Sequence, residues 1–146
     1  MEHVQKTVQF FSALEEGRWF EVFEMLDDDF KFYGTLPDPF NKEETVAFQQ
    51  AIHKAFPDLS FEVKRIVDKK DRVVVDLGVT GTHTGPLTLP IHGFKTFPPS
   101  KTRFSLPIEE AQVFFRNDKV EMIHTSTHLH GGLFGILEQI GAENTE

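Results

Sequence analysis

Lys119 to Gly141 read KVEMIHTSTHLHGGLFGILEQIG, an alternating segment that runs directly into a helical one. Period-two spacing puts Val120, Met122, His124, Ser126 and His128 on one face of a strand and Glu121, Ile123, Thr125, Thr127 and Leu129 on the other. Beyond Gly131-Gly132, the residues Leu133, Phe134, Ile136, Leu137 and Ile140 fall at the spacing of a short amphipathic helix suited to plug one end of a sheet. The first strand face begins apolar and ends in imidazoles and a hydroxyl. Two readings fit that pattern: the floor of a ligand cavity, or a half-exposed strand carrying surface histidines.

Working outward, a strand pair is predicted from Phe104 to Phe115 and from Val120 onward, joined by a turn at Asn117-Asp118. Glu109 and Glu110 are adjacent, so one carboxylate points to each side of the sheet, whichever way the strand faces. Before them, Asp68 to Asp71 reads as a hairpin turn. It joins a strand in which Phe61, Val63, Arg65 and Val67 alternate with Ser60, Glu62, Lys64 and Ile66 to a return strand from Arg72. On that strand Val73, Val75, Leu77, Val79, Gly81 and His83 share a face. His83 thus ends an apolar row, either as a satisfied core or rim residue or as a second polar group of the same hollow. Residues 85 to 103 carry Pro86, Pro90, Gly93, Pro98 and Pro99 and read as a long loop or bent edge ribbon, of the kind that often forms a lid.

Toward the N-terminus, Val4, Val8, Phe11 and Leu14 predict a helix over residues 3 to 16 that stops at Gly17. Trp19 to Leu26 is dense enough in apolar residues for a short buried helix, with Asp27 to Asp29 as its solvated end. Phe30 to Tyr33 is a short strand closed by Gly34 and Leu36-Pro37-Asp38-Pro39. Asn41 is placed to cap a third helix with Glu43 and Glu44 in its first turn. That helix buries Phe48, Ile52, Ala55 and Phe56 and ends at Pro57.

Composition narrows the function classes. At 146 residues the chain fits one domain, residues 1 to 146. Sixteen Phe against one Trp and one Tyr favour an apolar core or pocket, with Trp19, Tyr33 and Phe115 as aromatic candidates for its wall. Fifteen basic against 23 acidic residues, a net charge of −8, argue against nucleic acid or an anionic membrane surface as partner. The absence of cysteine excludes disulfides, thiolate metal sites and a cysteine nucleophile. No basic leader or membrane-length apolar run is present, so a cytoplasmic protein with no membrane partner is expected.

Two helices, a short strand, a third helix and four strands in meander predict an α+β domain: a curved antiparallel sheet wrapped around N-terminal helices, cone-shaped with an internal pocket. Ala55-Phe56-Pro57-Asp58-Leu59, Gly81-Thr82-His83-Thr84-Gly85 and Leu137-Glu138-Gln139-Ile140-Gly141, in this order, resemble the SnoaL-like polyketide cyclases within the wider nuclear transport factor and ketosteroid isomerase-like cone fold. The resemblance spans nearly the whole chain. It implies a deep pocket and an intramolecular aldol ring closure in which an acidic residue on the last strand is general acid and base, with no metal or organic cofactor. This chain departs from that pattern, because Lys119 to His128 contains no aspartate. Thr125 and His128 stand at the two usual aspartate places and His124 at the usual tryptophan.

Proton abstraction beside a carbonyl needs a base with a pKa near working pH and a donor for the enolate oxygen. A neutral imidazole in an apolar pocket meets the first need. His128 is therefore the candidate base and His83 or a protonated Glu110 the candidate donor, with Glu109 taking that place if the strand faces the other way. His124, Ser126, Tyr33, Trp19, Glu109 and Phe115 are candidate binding residues. A shared metal ion is disfavoured, since His124 and His128 would lie ~13 Å apart on a regular strand. The expected partner is a hydrophobic, carbonyl-bearing small molecule, bound by an enzyme or by a non-catalytic binding protein. Apolar residues on both sheet faces, such as Val74 opposite Val73 and Val75, predict a homodimer.

Overall fold

The computed structural model describes residues 2–34, 36–126 and 130–141. Helix α1 (Glu2–Glu16) buries Phe10, Phe11, Ala13 and Leu14, and Gly17 ends it in the left-handed region at φ 70°. Helix α2 (Trp19–Met25) leads straight into β1 (Leu26–Tyr33). Asp27 to Asp29 therefore belong to a strand and not to the expected solvated helix end. Arg116 makes this tolerable, donating to Asp27 at 2.7 Å and to Asp29 at 3.3 Å. Helix α3 (Lys42–Ala55) starts with a capping box: Asn41 Oδ1 accepts from the Glu44 N–H at 2.8 Å, and the Glu44 carboxylate accepts from the Asn41 N–H at 2.9 Å.

The remaining elements are β2 (Ser60–Asp68), β3 (Arg72–Thr82), β4 (Arg103–Ser105), β5 (Glu109–Arg116), β6 (Lys119–Thr125) and α4 (Gly132–Ile140). The strand order is β1-β6-β5-β3-β2, with β4 paired to β3. All pairings are antiparallel except β1 with β6, which is parallel, so the sheet is mixed rather than wholly antiparallel. The strand expected from Phe104 to Phe115 is divided in two. Pro107 cannot donate to a ladder, and β3 pairs with β4 through Thr80 to Thr82 but with β5 through Arg72 to Leu77. Among the described residues no helix is long and apolar enough to cross a membrane.

Two register shifts redirect the side chains. On β2 the pairing passes from Val63–Leu77 to Arg65–Asp76, leaving Lys64 as the extra residue. Ile66 thereby joins Phe61 and Val63 against the core, and Arg65 and Val67 leave the face that strict alternation predicts for them. On β6 the pairing passes from Val120–Phe115 to Met122–Phe114, leaving Glu121 extra. Val120 and Ile123 are both buried while His124 is exposed. The inner row is Val120, Ile123 and Thr125, and the predicted row Val120, Met122, His124 is corrected accordingly.

Two apolar clusters result. One lies between α1 and the sheet and is centred on Phe10, Phe30, Val75 and Val113. The second gathers Ile52, Phe56, Leu87, Leu89, Phe104 and Ile136. Residues 84 to 102 belong to the second cluster and form a packed wall rather than a lid. Leu87 and Leu89 are buried, and Leu87 and Phe97 exchange two backbone hydrogen bonds of 2.9 Å.

The phrases around Ala55 to Leu59, Gly81 to Gly85 and Leu137 to Gly141 turn out to be joints. The Ala55 carbonyl accepts from the N–H groups of both Thr84 and Gly85 at 3.1 Å, and the Asp58 carboxylate accepts from the Thr82 N–H at 2.7 Å and hydroxyl at 2.8 Å. The end of α3 is thus tied to the end of β3. Gln139 does the same for α4: its amide accepts from the Ser105 N–H and donates to the Ser105 carbonyl, both at 2.8 Å, as a neighbouring strand would. Gly85 has no room for a side chain, because a Cβ there would sit on the Lys54 carbonyl oxygen. Gly85→Ala should cost about 1–3 kcal/mol by overpacking, lowering the melting temperature by roughly 3–10 °C in a calorimetric scan. Gly78→Ala, where a Cβ meets only side-chain atoms at 3.4 Å or beyond, should leave it nearly unchanged.

Candidate functional site

The inner face of the sheet, α1, α3 and α4 enclose a cavity of about 160 Å³. Its walls are mostly apolar. Phe10, Phe11 and Leu14 come from α1, Phe32 from β1, Leu77 and Val79 from β3, and Leu133 and Ile136 from α4. Helix α3 contributes Thr45, Phe48, Gln49 and Ile52, which share one face at spacings of three, four and seven. The polar groups on the lining are Asp38, Thr45, Gln49, Glu109, Glu110 and Thr125.

Glu109 is the carboxylate that enters. It stands on the face of β5 that carries the buried Ala111 and Val113, lies opposite Leu77 on β3, and its Oε2 is shielded from solvent. Glu110 sits at the cavity's edge with its side chain exposed. Its backbone carbonyl accepts from the Ser126 N–H at 2.9 Å. Two hydroxyls on the lining are already engaged: Thr45 donates to the Asn41 carbonyl at 2.8 Å and Thr125 to the Tyr33 carbonyl at 3.2 Å. Gln49 makes no hydrogen bond with any described residue.

Of the residues singled out in the sequence, Glu109 and Glu110 are on the lining and His128 lies outside the described residues. His83 is 1% exposed but is packed in the second cluster, its ring 5.3 Å from that of Phe56, and does not line the cavity. Its Nδ1 accepts from the Ser100 N–H at 3.1 Å, with the Ser100 hydroxyl 3.0 Å away. That places the ring proton on Nε2, which is buried without a hydrogen bond among the described residues. The apolar row of β3 therefore leads into a second core and not into the hollow expected at its end. His124 and Tyr33 pair on the outer sheet face with ring centroids 6.0 Å apart. Ser126 is exposed. Trp19 packs edge-on to His53 at 5.5 Å, and Phe115 stacks beneath His3 at 4.2 Å.

Sequence reasoning missed Thr45 and Gln49, and marked Thr125 only by its place in the family pattern and not as a cavity residue. The α3 stripe read from Phe48 and Ile52, extended one turn back, reaches Thr45 and Gln49. Thr125 was hidden by the bulge at Glu121. Among the described residues no three His, Asp or Glu side chains are grouped so as to hold a metal ion.

Residues 5–105, α1 through β4, match the family model of the SnoaL-like polyketide cyclases. No curated protein matches the chain in sequence. Among solved structures, AclR from Streptomyces galilaeus, proposed to be a hydroxylase, is similar at a TM-score of 0.71 and 23% identity, covering 92% of each chain. A proposed SnoaL-like polyketide cyclase from a Jannaschia species reaches 0.73 at 20% identity over 97% of this chain and 92% of that one. A protein of ketosteroid isomerase-like fold from Catenulispora acidiphila, solved in complex with trimethylamine, reaches 0.66 at 12% identity over 96% of each chain. At these identities the likenesses establish the fold.

Burial drives the His83 pKa below the ordinary imidazole value, opposed by the Gly85 backbone. The unfolded chain therefore takes up this proton first as pH falls, and the stability that neutral His83 contributes is present above pH ~6.5 and lost progressively below it. Protonation would also convert Nδ1 from acceptor to donor and break its bond with the Ser100 N–H. Urea titrations should show the midpoint falling between pH 7 and pH 5. His83→Asn, which offers an oxygen near the Nδ1 position and cannot titrate, should flatten that slope.

Proposed function

Because the chain belongs to the SnoaL-like polyketide cyclase family, we propose that it catalyses cofactor-independent proton transfer on a hydrophobic, carbonyl-bearing small molecule, with Glu109 as the group that moves the proton. The observation that carries the reading is one carboxyl group with a solvent-shielded oxygen, set in a cavity whose walls are mostly Phe, Leu, Ile and Val. The Glu109 carboxylate removes a proton from the carbon beside the carbonyl, and the electron pair moves into the enolate. The enolate carbon then attacks a second carbonyl of the same molecule, forming the ring bond, or takes the proton back at another position. In ring closure the new alkoxide receives the proton. A mostly apolar cavity strengthens the hydrogen bonds that stabilise the oxyanion. His128 remains a candidate second proton carrier, and His83 serves to hold the 84–102 wall.

A binding protein for the same class of ligand is the second reading, favoured by the lack of aspartate on β6. Turnover of a panel of diketones and enones separates the two. Wild-type protein that is thermally stabilised by such compounds and never consumes them is a binder. For an enzyme, Glu109→Gln should lower kcat by about 10²-fold or more, with ligand affinity changed far less. An equal loss of both would reduce Glu109 to a wall residue.

The homodimer is part of the same proposal. Val74, Phe114 and Met122 are half-buried on the outer face, where Phe114 pairs with Met122 across the strands, leaving apolar surface for a second copy. Sedimentation at micromolar concentration should give a dimer for the wild type and a monomer for Phe114→Glu. A monomeric wild type would remove the dimer.

A further inference from the structure

The geometry points to a single-ring carbonyl compound without a negative charge as the ligand of this cavity, its oxygen held by the Gln49 carboxamide. This rests on the reading of the cavity as a substrate site and narrows its substrate class. Three features support it: charge, unspent donors and size.

The lining carries three carboxyl groups, Asp38, Glu109 and Glu110, and among the described residues no Lys, Arg or His. A carboxylate or phosphate entering would give up its hydration and, among the described residues, meet only like charge, at a cost of several kcal/mol. The described lining therefore selects against an anionic substrate.

A carbonyl oxygen in such a cavity needs a neutral N–H or O–H donor. The hydroxyls of Thr45 and Thr125 have already given their protons to backbone carbonyls. Gln49 stands on the helical wall in the row with Thr45, Phe48 and Ile52. Of the described neutral polar side chains on the lining, it alone makes no hydrogen bond. Its NH₂ is free to donate to a ligand oxygen, while Glu109 approaches from the sheet wall. Buried apolar space that lacks such a donor would not discriminate a ketone from a hydrocarbon.

The cavity, about 160 Å³, is close to the roughly 150 Å³ apolar cavity that accepts benzene. One six-membered ring with a short substituent fills it.

Titrations of the protein by ligand-observed NMR, using three ring compounds of similar size, test the inference. Acetophenone and ethylbenzene should bind the wild type, while benzoate should bind at least tenfold more weakly than acetophenone. Gln49→Leu should weaken acetophenone by about 3–10-fold, the value of one neutral hydrogen bond, and leave ethylbenzene unchanged. Gln49→Met provides a second variant should the leucine variant fail to fold. Acetophenone binding that is indifferent to both substitutions would overturn the role of Gln49. Benzoate binding as tightly as acetophenone would overturn the charge selection. Failure of both acetophenone and ethylbenzene to bind the wild type would instead sink the cavity as a ligand site, and the proposed function with it.

Discussion

One extra residue in β6 orients the cavity. With Val120 opposite Phe115 and Met122 opposite Phe114, Glu121 has no counterpart, and every side chain beyond it changes face relative to an unbroken strand. Ile123 and Thr125 turn inward as a result, and Met122 and His124 turn out. The end of β1 follows, because beyond a shift of its own between Leu26 and Lys31 it pairs with β6 residue for residue: Phe32 lies beside Ile123 and faces the cavity, while Tyr33 lies beside His124 and faces out. The bulge on β2 acts in the same way at the other side of the sheet, bringing Ile66 to the core. Both bulges also raise the local twist, which suits a sheet that must curve around α1 and α3.

The helices are held to this sheet by polar joints as well as by apolar burial. The bonds from Thr84 and Gly85 to Ala55, and from Thr82 to Asp58, anchor the C-terminal end of α3. Gln139 anchors α4 by imitating a strand at the edge of β4. Each joint satisfies backbone groups that would otherwise be left without partners. They position two cavity walls without placing any polar atom inside the cavity. The described lining stays mostly apolar, with Asp38, Thr45, Gln49, Glu109, Glu110 and Thr125 as its polar residues.

The division of labour between the two clusters follows. The first, under α1, is a core in the ordinary sense. The second packs α3, the 84–102 wall and α4 together, and His83 lies within it, accepting a backbone N–H from that wall. A histidine at the end of an apolar row is here a structural acceptor, and the carboxylate that enters the cavity is Glu109, a glutamate on the neighbouring strand.

Much of the architecture was legible from local pattern. The stripe Val4, Val8, Phe11, Leu14, the capping residues Asn41 and Glu44, and the row Val73 to Gly81 each specify an element through short-range periodicity and backbone chemistry, which need no knowledge of distant partners. Adjacent Glu109 and Glu110 likewise guaranteed one carboxylate on each side of the sheet. Which of the two faces inward, that β1 joins the sheet parallel to β6, and that Thr125 rather than His124 reaches the cavity were decided only in three dimensions. The reason is that register is a property of two strands. A bulge is an extra residue relative to a partner, and alternation read along a single strand cannot reveal it.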